Sequence, residues 1–125
     1  MIRAMAAAGL ATLAIALSSC RSTPEVSYSR DVSPILKKKC VKCHTPPDGE
    51  GYNIVGLDMA SYEGLIQGTY YGPIIEPGDS RHSIFNMAGE RRIHANSNEL
   101  RDCIFLSEEE MEVLRAWVDQ GARNN

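Results

Sequence analysis

Aromatic residues and net charge are both scarce in this chain of 125 residues. It has one tryptophan, five tyrosines and two phenylalanines, and its formal net charge is −3 at pH 7. So small a net charge excludes a basic nucleic-acid binder and a disordered polyanion. Hydrophobic residues make up 43% of the chain, which is enough for the packed core of one domain. A domain of this size buries a limited fraction of its surface, so it often needs a covalent staple or a cofactor.

Cysteine is too rare for a disulfide-dense scaffold. The four cysteines stand at positions 20, 40, 43 and 103. Two of them are close together in the sequence, and this spacing predicts chemistry rather than a stapled fold. The chain also has no internal repeat and no low-complexity run. The sequence therefore indicates a single small domain with a few chemically important side chains.

Residues 1–19 have the pattern of a bacterial export signal. Arg3 supplies a positive charge, and the uncharged run Ala4–Leu17 follows it. That run is shorter than the ~20 apolar residues that a membrane-spanning helix needs, but it fits a signal peptide. The next residues, Ser18-Ser19-Cys20, resemble the lipobox of bacterial lipoproteins, which implies cleavage before Cys20 and acylation of that cysteine. An ordinary secretory signal with an incidental cysteine is the alternative.

Lipidation of Cys20 predicts an exported protein held at the periplasmic face of a membrane or at the cell surface. Several acyl chains on one cysteine anchor a protein stably. Residues 20–28 are then expected to form a lipidated N-terminal tether, because the stretch is mostly polar. Residues 29–125 are expected to form the domain.

The most specific pattern in the chain is Cys40-Val41-Lys42-Cys43-His44. Cys-x-x-Cys-His is the attachment pattern of c-type haem. Cysteines three residues apart at a helix end lie on one face, so both sulfurs reach the vinyl groups of one porphyrin. The residue that follows them, His44, is then placed to bind the iron. The export signal agrees with this prediction, because haem of this type is attached after translocation.

Other uses of the cysteine pair stay open. A redox-active Cys-x-x-Cys of the thioredoxin type requires a β-α-β context, which the sequence does not predict. A zinc site requires further ligands, for which Cys103, His82 and His94 are candidates, but no second Cys-x-x-Cys or His-x-x-x-His pair is present. A structural disulfide within the pair leaves the adjacent histidine without a role.

Hydrophobic periodicity predicts an all-α chain. Ser33-Pro34 predicts the start of a first helix that carries the cysteine pair. The glycine-containing stretch 50–57 predicts a loop, and helical spacing predicts short helices over 58–67 and 83–88. Ser107 and the glutamates after it predict a capping box at the start of the last helix. The residues expected to face the core from that helix are Met111, Leu114, Trp117 and Val118.

Five segments together resemble the class I-like bacterial cytochrome c domains that carry a single haem, the planctomycete type in particular. These segments are Pro34-Ile35-Leu36, Cys40–His44, Gly56–Tyr62, Pro77-Gly78-Asp79 and Leu106–Ala122. The resemblance spans about 29–122. It implies a small fold in which the N-terminal and C-terminal helices cross around one covalently bound haem c. It also implies that Cys40 and Cys43 form the thioethers and that His44 is the proximal iron ligand.

The second axial ligand departs from the pattern of the family. Such domains usually have a Met-Pro pair shortly before the last helix, with the methionine sulfur on the iron, but residues 89–106 contain no methionine. The nearest position by alignment is His94, which predicts bis-histidine iron; a solvated loop histidine is the alternative. Met87 is a second candidate, although a methionine at helical spacing is more often part of the core. An open sixth position is the third possibility.

An iron with two protein ligands leaves no room for a substrate, so the sequence predicts an electron carrier and not an enzyme. Its partners are expected to be other redox proteins of the envelope, with no nucleic acid. The alternatives are a haem-based sensor or gas-binding domain with an open sixth site, an accessory haem subunit of a larger oxidoreductase, and a small peroxidase. No catalytic residue is assigned.

Four lysines near the motif are candidates for a docking patch that steers an acidic partner. They are Lys37, Lys38, Lys39 and Lys42. A solvated helix face is the alternative interpretation. Cys103 is left over once the other cysteines are assigned; it is a buried small residue, a reactive thiol or an intermolecular partner.

Overall fold

The computed structural model describes residues 23–90 and 106–125. A π-helical turn spans Tyr28–Val32, and five α-helices follow it. The helices are α1 (Ser33–Lys39), α2 (Glu50–Val55), α3 (Tyr62–Gln67), α4 (Ile84–Gly89) and α5 (Glu108–Asp119). Within these residues there is no β-strand, and a bridge between Thr69 and Gly72 is the single piece of β pairing. The all-α class is therefore confirmed for the described residues.

The first helical segment begins earlier than the sequence predicts. Its N-cap is Ser27, whose Oγ accepts from the backbone N–H of Arg30, and Asp31 Oδ2 accepts from the Ser27 N–H in return at 2.8 Å. The π-helical turn runs directly into α1, because the Ser33 N–H donates to the Tyr28 carbonyl. Ser33-Pro34 therefore marks the start of α1, as the sequence predicts, but the side-chain capping bonds belong to Ser27 and Asp31 at the start of the π-helical turn before it.

Helix α2 occupies the stretch that was predicted to be a loop. Gly49 is its N-cap, and Gly56 ends it in the left-handed region with φ of 73°. In that conformation the Gly56 N–H reaches the Tyr52 carbonyl at 2.6 Å. Gly49 and Gly56 thus border one short helix of six residues. The glycines of the stretch had predicted a loop instead.

Helices α3 and α4 are close to their predicted positions. The start of α3 is later than predicted because Ser61 caps it, with its Oγ accepting from the Gly64 N–H at 3.0 Å. Helix α4 follows Ser83 as N-cap and turns Phe85 into the core. The helical spacing of 83–88 places Ile84 on the inward face with Phe85 and Met87, but Ile84 is 49% exposed, so this part of the prediction was wrong.

Helix α5 agrees with the sequence prediction. The Ser107 hydroxyl accepts from the Glu110 N–H, and the Glu110 carboxylate accepts from the Ser107 N–H at 2.9 Å, which completes the capping box. The residues predicted to face the core are all buried: Met111, Leu114, Trp117 and Val118. Gly121, with φ of 98°, follows the helix where the sequence predicts its stop.

An aromatic cluster around Trp117 forms the centre of the core. The ring centroid of Trp117 lies 5.6 Å from that of Tyr28, 6.4 Å from Tyr62 and 6.3 Å from Phe85. The indole Nε1–H donates to the Arg123 carbonyl at 2.9 Å, so the polar end of the buried ring is also satisfied. One side chain of α5 therefore contacts the first helical segment, α3 and α4.

The segment that leads into the π-helical turn is packed and does not form a free tether. Its backbone N–H at Val26 donates to Gln120 Oε1 at 2.8 Å, the Ser27 hydroxyl donates to the Asn125 carbonyl at 2.7 Å, and Tyr28 is buried. The predicted tether 20–28 is thus shorter than expected, because its last residues pair with the polar groups that follow α5. The packed unit begins before residue 29.

We expect Trp117→Ala to lower the free energy of unfolding by about 3–5 kcal/mol, the usual loss for a large aromatic residue removed from a core. Ile84→Ala, which truncates a half-exposed side chain of α4, is the control and should cost about 1 kcal/mol or less. Denaturant titration measures both values. Equal midpoints for the two variants would contradict the central role of the indole.

Candidate functional site

The pentapeptide 40–44 forms a tight turn after α1. The prediction that the first helix carries the cysteine pair was wrong, because α1 ends at Lys39 and Cys40 is its C-cap. The Cys40 N–H still bonds to the Leu36 carbonyl at 2.8 Å, which continues the helix for one residue. The Cys40 carbonyl then accepts from two N–H groups, those of Cys43 at 3.1 Å and His44 at 2.9 Å. The backbone at Cys43 and His44 is thereby held against Cys40, so the three residues of the motif lie close together in space.

The two sulfurs and the imidazole have different environments. Cys40 and Cys43 are both half-buried and are not joined to each other by a disulfide. His44 is half-buried as a residue, and its Nδ1 is inaccessible to solvent. Both cysteines are thus partly exposed, Cys40 also packs against the apolar core, and the imidazole is packed against the protein on at least one edge.

The chain after the motif returns to cover it. The Met59 N–H donates to the His44 carbonyl at 2.8 Å, and the Tyr52 N–H donates to the Cys43 carbonyl at 3.0 Å. Both bonds come from residues at or beyond α2. Helix α2 and the segment after it thus restrain the backbone of the motif.

Two glycines make this close approach possible. A Cβ at Gly49 would lie 2.5 Å from the Thr45 carbonyl oxygen and 2.6 Å from that of Cys43. A Cβ at Gly51 would lie 2.6 Å from Cε1 of His44 and 2.9 Å from each ring nitrogen. Neither position accepts a side chain without movement, so this part of α2 is in direct contact with the motif.

The lysines near the motif are not equivalent. Lys37, Lys38 and Lys42 are exposed. The Nζ of Lys39 lies 3.7 Å from Glu110 Oε2, and both side chains are only about one-fifth exposed (22% and 21%). Lys39 thus joins the end of α1 to the first turn of α5, and three of the four candidate docking residues face solvent.

The donor set of the turn fits a covalently attached haem. A haem of the c type requires two thiols that it can reach and one imidazole next to them. The partly exposed cysteines fit the first requirement, and the contact between His44 and Gly51 fixes where the imidazole lies. In residues 23–90 and 106–125, no set of three or more His, Cys, Asp or Glu side chains is arranged to hold a metal ion. In the same residues, no β-α-β unit surrounds the pair, as a thioredoxin-type site requires.

The remaining candidate residues are distributed as follows. Met87 is half-buried in α4 and lines a pocket with Ser80, Arg81, His82, Glu90 and Arg115, which none of Cys40, Cys43 and His44 lines. His82 is exposed, and its Nδ1 lies 2.6 Å from Asp79 Oδ2, a hydrogen bond that lowers the pKa of the Asp79 carboxyl. His94, Cys103 and the lipidation candidate Cys20 lie outside the described residues.

Sequence reasoning missed the contribution of α2. The residues it missed are Gly49, Gly51 and Met59, which contact the motif through backbone atoms or through the lack of a side chain. The available signal was the pair of glycines two residues apart, the first of them five residues after His44.

Comparisons of the chain with models of protein families, with curated proteins and with solved structures find no match. Among the helices of the described residues, none is long and apolar enough to cross a membrane. The functional assignment therefore depends on the chemistry of the turn 40–44 and on what packs around it.

Proposed function

We propose that this chain is a membrane-anchored, single-haem c-type cytochrome that carries one electron at a time between redox partners of the cell envelope. The observation that carries the proposal is the turn 40–44, in which backbone hydrogen bonds hold Cys43 and His44 against Cys40 and the His44 ring packs against Gly51. A zinc site remains the other use of this cysteine pair, and its candidate ligands His94 and Cys103 lie outside the described residues.

In this proposal each residue of the turn has a separate task. Cys40 and Cys43 hold the porphyrin through thioether bonds, and His44 donates an imidazole nitrogen to the iron. The haem, when bound, supplies the one-electron couple. The protein supplies position: α1 and α2 both restrain the turn, and the backbone of His44 is bonded through both its N–H and its carbonyl.

Restraint of this kind favours an electron carrier over an enzyme. Electron transfer changes the charge of the haem and needs little change in the shape of the protein. It therefore suits an iron ligand that is already held in place before the electron arrives. General acid-base catalysis at a haem needs an open iron position and a nearby proton-transfer group, and we assign no residue to that task.

The proposed anchor would keep the domain close to the lipid surface. Cys20 is four residues before Pro24, whose carbonyl accepts the first hydrogen bond from the end of α5, donated by Gln120 Nε2. Four extended residues span at most about 14 Å. A carrier held on so short a link would exchange electrons with partners in the same membrane or docked on it.

The first test is the haem itself. Mature protein from a host that attaches c-type haem should give one haem per chain in a pyridine haemochrome assay, and the pigment should stay with the protein in acidified organic solvent. Cys40→Ala with Cys43→Ala should abolish that retention, because both thioether bonds are removed. Colourless wild-type protein, or pigment that the solvent extracts, would contradict the proposal.

The second test concerns the other axial ligand, for which His94 is our first candidate and Met87 our second. We expect the ferric spectrum to lack a sulfur-to-iron charge-transfer band, and His94→Ala to open the iron to carbon monoxide in the ferrous form. A sulfur ligand raises the reduction potential relative to imidazole, so the wild-type potential should lie below that of Met-ligated relatives. A charge-transfer band that survives His94→Ala and vanishes in Met87→Ala would reverse the ranking. Carbon monoxide binding by the wild-type protein would favour the sensor alternative.

The third test concerns docking. Replacing the three exposed lysines (Lys37, Lys38 and Lys42) with Gln should slow electron transfer to an acidic partner severalfold at low ionic strength, and the difference should shrink as salt is added. The control replaces the exposed Arg30, Arg81 and Arg123 with Gln, which changes the net charge equally outside the motif. If both triple variants slow the reaction equally, the lysines act only through net charge and the patch is not a docking site.

A further inference from the structure

We infer that Gly51 is a positioning residue for His44: the absence of a side chain at position 51 sets where the imidazole lies. The inference rests on the proposed function, since it concerns the ligand that would hold the iron. Its basis is the close contact between α2 and the ring, where a Cβ at Gly51 would lie 2.6 Å from Cε1 of His44. Real Cβ atoms do not approach a neighbouring atom that closely, so either the ring or the helix must move when a side chain is added.

The backbone on both sides of this contact is restrained. His44 donates its N–H to the Cys40 carbonyl at 2.9 Å and accepts from the Met59 N–H at 2.8 Å. Helix α2 is held by the bond from the Tyr52 N–H to the Cys43 carbonyl at 3.0 Å. A methyl group at position 51 would therefore displace the imidazole first, because a side chain shifts at a lower cost than backbone that is held by hydrogen bonds.

Backbone conformation does not explain the glycine. Gly51 lies within α2 and has helical geometry, unlike Gly56, whose φ of 73° favours glycine. At an ordinary helical position alanine is the better helix former. The His44 ring occupies the space that a side chain at position 51 would need. The glycine is therefore explained by the position of the ring.

A displaced imidazole would bind iron less well. Groups that orient a metal-binding histidine without touching the metal change metal affinity by about 10–100-fold when they are altered. Gly51 acts in the same way, through the position of the ring, although it contributes no hydrogen bond to it. The effect should appear in the bond between iron and His44 and not in the attachment of the haem.

The test is Gly51→Ala in the haem-loaded protein, with nitric oxide as the probe of that bond. Every chain compared, the wild type and the control included, also carries His94→Ala, so that the position opposite His44 is open to the probe. Nitric oxide on ferrous haem weakens the bond to the ligand on the opposite side, and the spin-resonance spectrum distinguishes the form that keeps the histidine from the form that has lost it. We expect Gly51→Ala to shift the ratio toward the histidine-free form by about tenfold or more. An unchanged ratio would overturn the inference.

Gly64→Ala is the matched control. Gly64 is also a helical glycine, in α3, and a Cβ there would lie 2.7 Å from the Asp58 carbonyl oxygen. This variant should lose stability through a comparable clash but keep the wild-type nitric oxide spectrum. If it shifts the ratio as far as Gly51→Ala does, the effect is a general loosening of the fold and the inference fails.

A double-mutant cycle tests the contact even if Gly51→Ala alone accumulates poorly. The change Gly51→Ala should destabilise the protein when His44 is present and be neutral or stabilising in a His44→Ala background, where only the gain in helix propensity remains. Thermal unfolding, or recovery of folded protein when one variant is too unstable to measure, gives the comparison. The same effect in both backgrounds would overturn the inference. A wild-type protein without haem would instead overturn the proposed function, and the cycle would still report on the contact.

Discussion

The burial of Trp117 is the interaction on which the rest of the structure depends. Its indole joins the π-helical turn, α3 and α4 to α5, and its Nε1–H closes the chain after α5 back onto the core. In a chain with so few aromatic residues, four of them meet at this one place. Each such ring removes a large apolar area from water, and edge-to-face contacts add a smaller favourable term. The short helices have too few internal hydrogen bonds to be stable alone, so this shared contact is what gives them a fixed arrangement.

The candidate site is held in place by other contacts than the aromatic cluster around Trp117. The turn 40–44 is held by backbone hydrogen bonds from the segment that follows it and by two glycines that permit close approach. Backbone bonds specify the path of the turn, while Cys40 and Val41 also pack against the apolar core. The functional turn is thus joined to the core at the end of α1.

The sequence predicted best where the signal was local. Ser107 and Glu110 specify a helix start by reciprocal bonds between neighbours, and both were predicted correctly, as was the buried face of α5. The start of the first α-helix at Ser33-Pro34 was predicted correctly, but its cap was not, because Ser27 and Asp31 form the capping bonds at the start of the π-helical turn before it. Helix α2 was missed because glycine disfavours helices on average. Here Gly56 ends the helix and Gly51 makes room for the His44 ring. The cysteine motif was visible from spacing alone, but the tertiary contacts that hold it are between residues that carry no sequence pattern.

Glu110 links the first turn of α5 to the end of α1. One carboxylate accepts from the Ser107 N–H and also lies beside Lys39, the last residue of α1 before Cys40. Fraying of the first turn of α5 and loosening of the end of α1 are therefore coupled events. Amide exchange in these two regions should share one opening reaction, so that the turn bearing the thiols melts together with the C-terminal helix as a single cooperative unit.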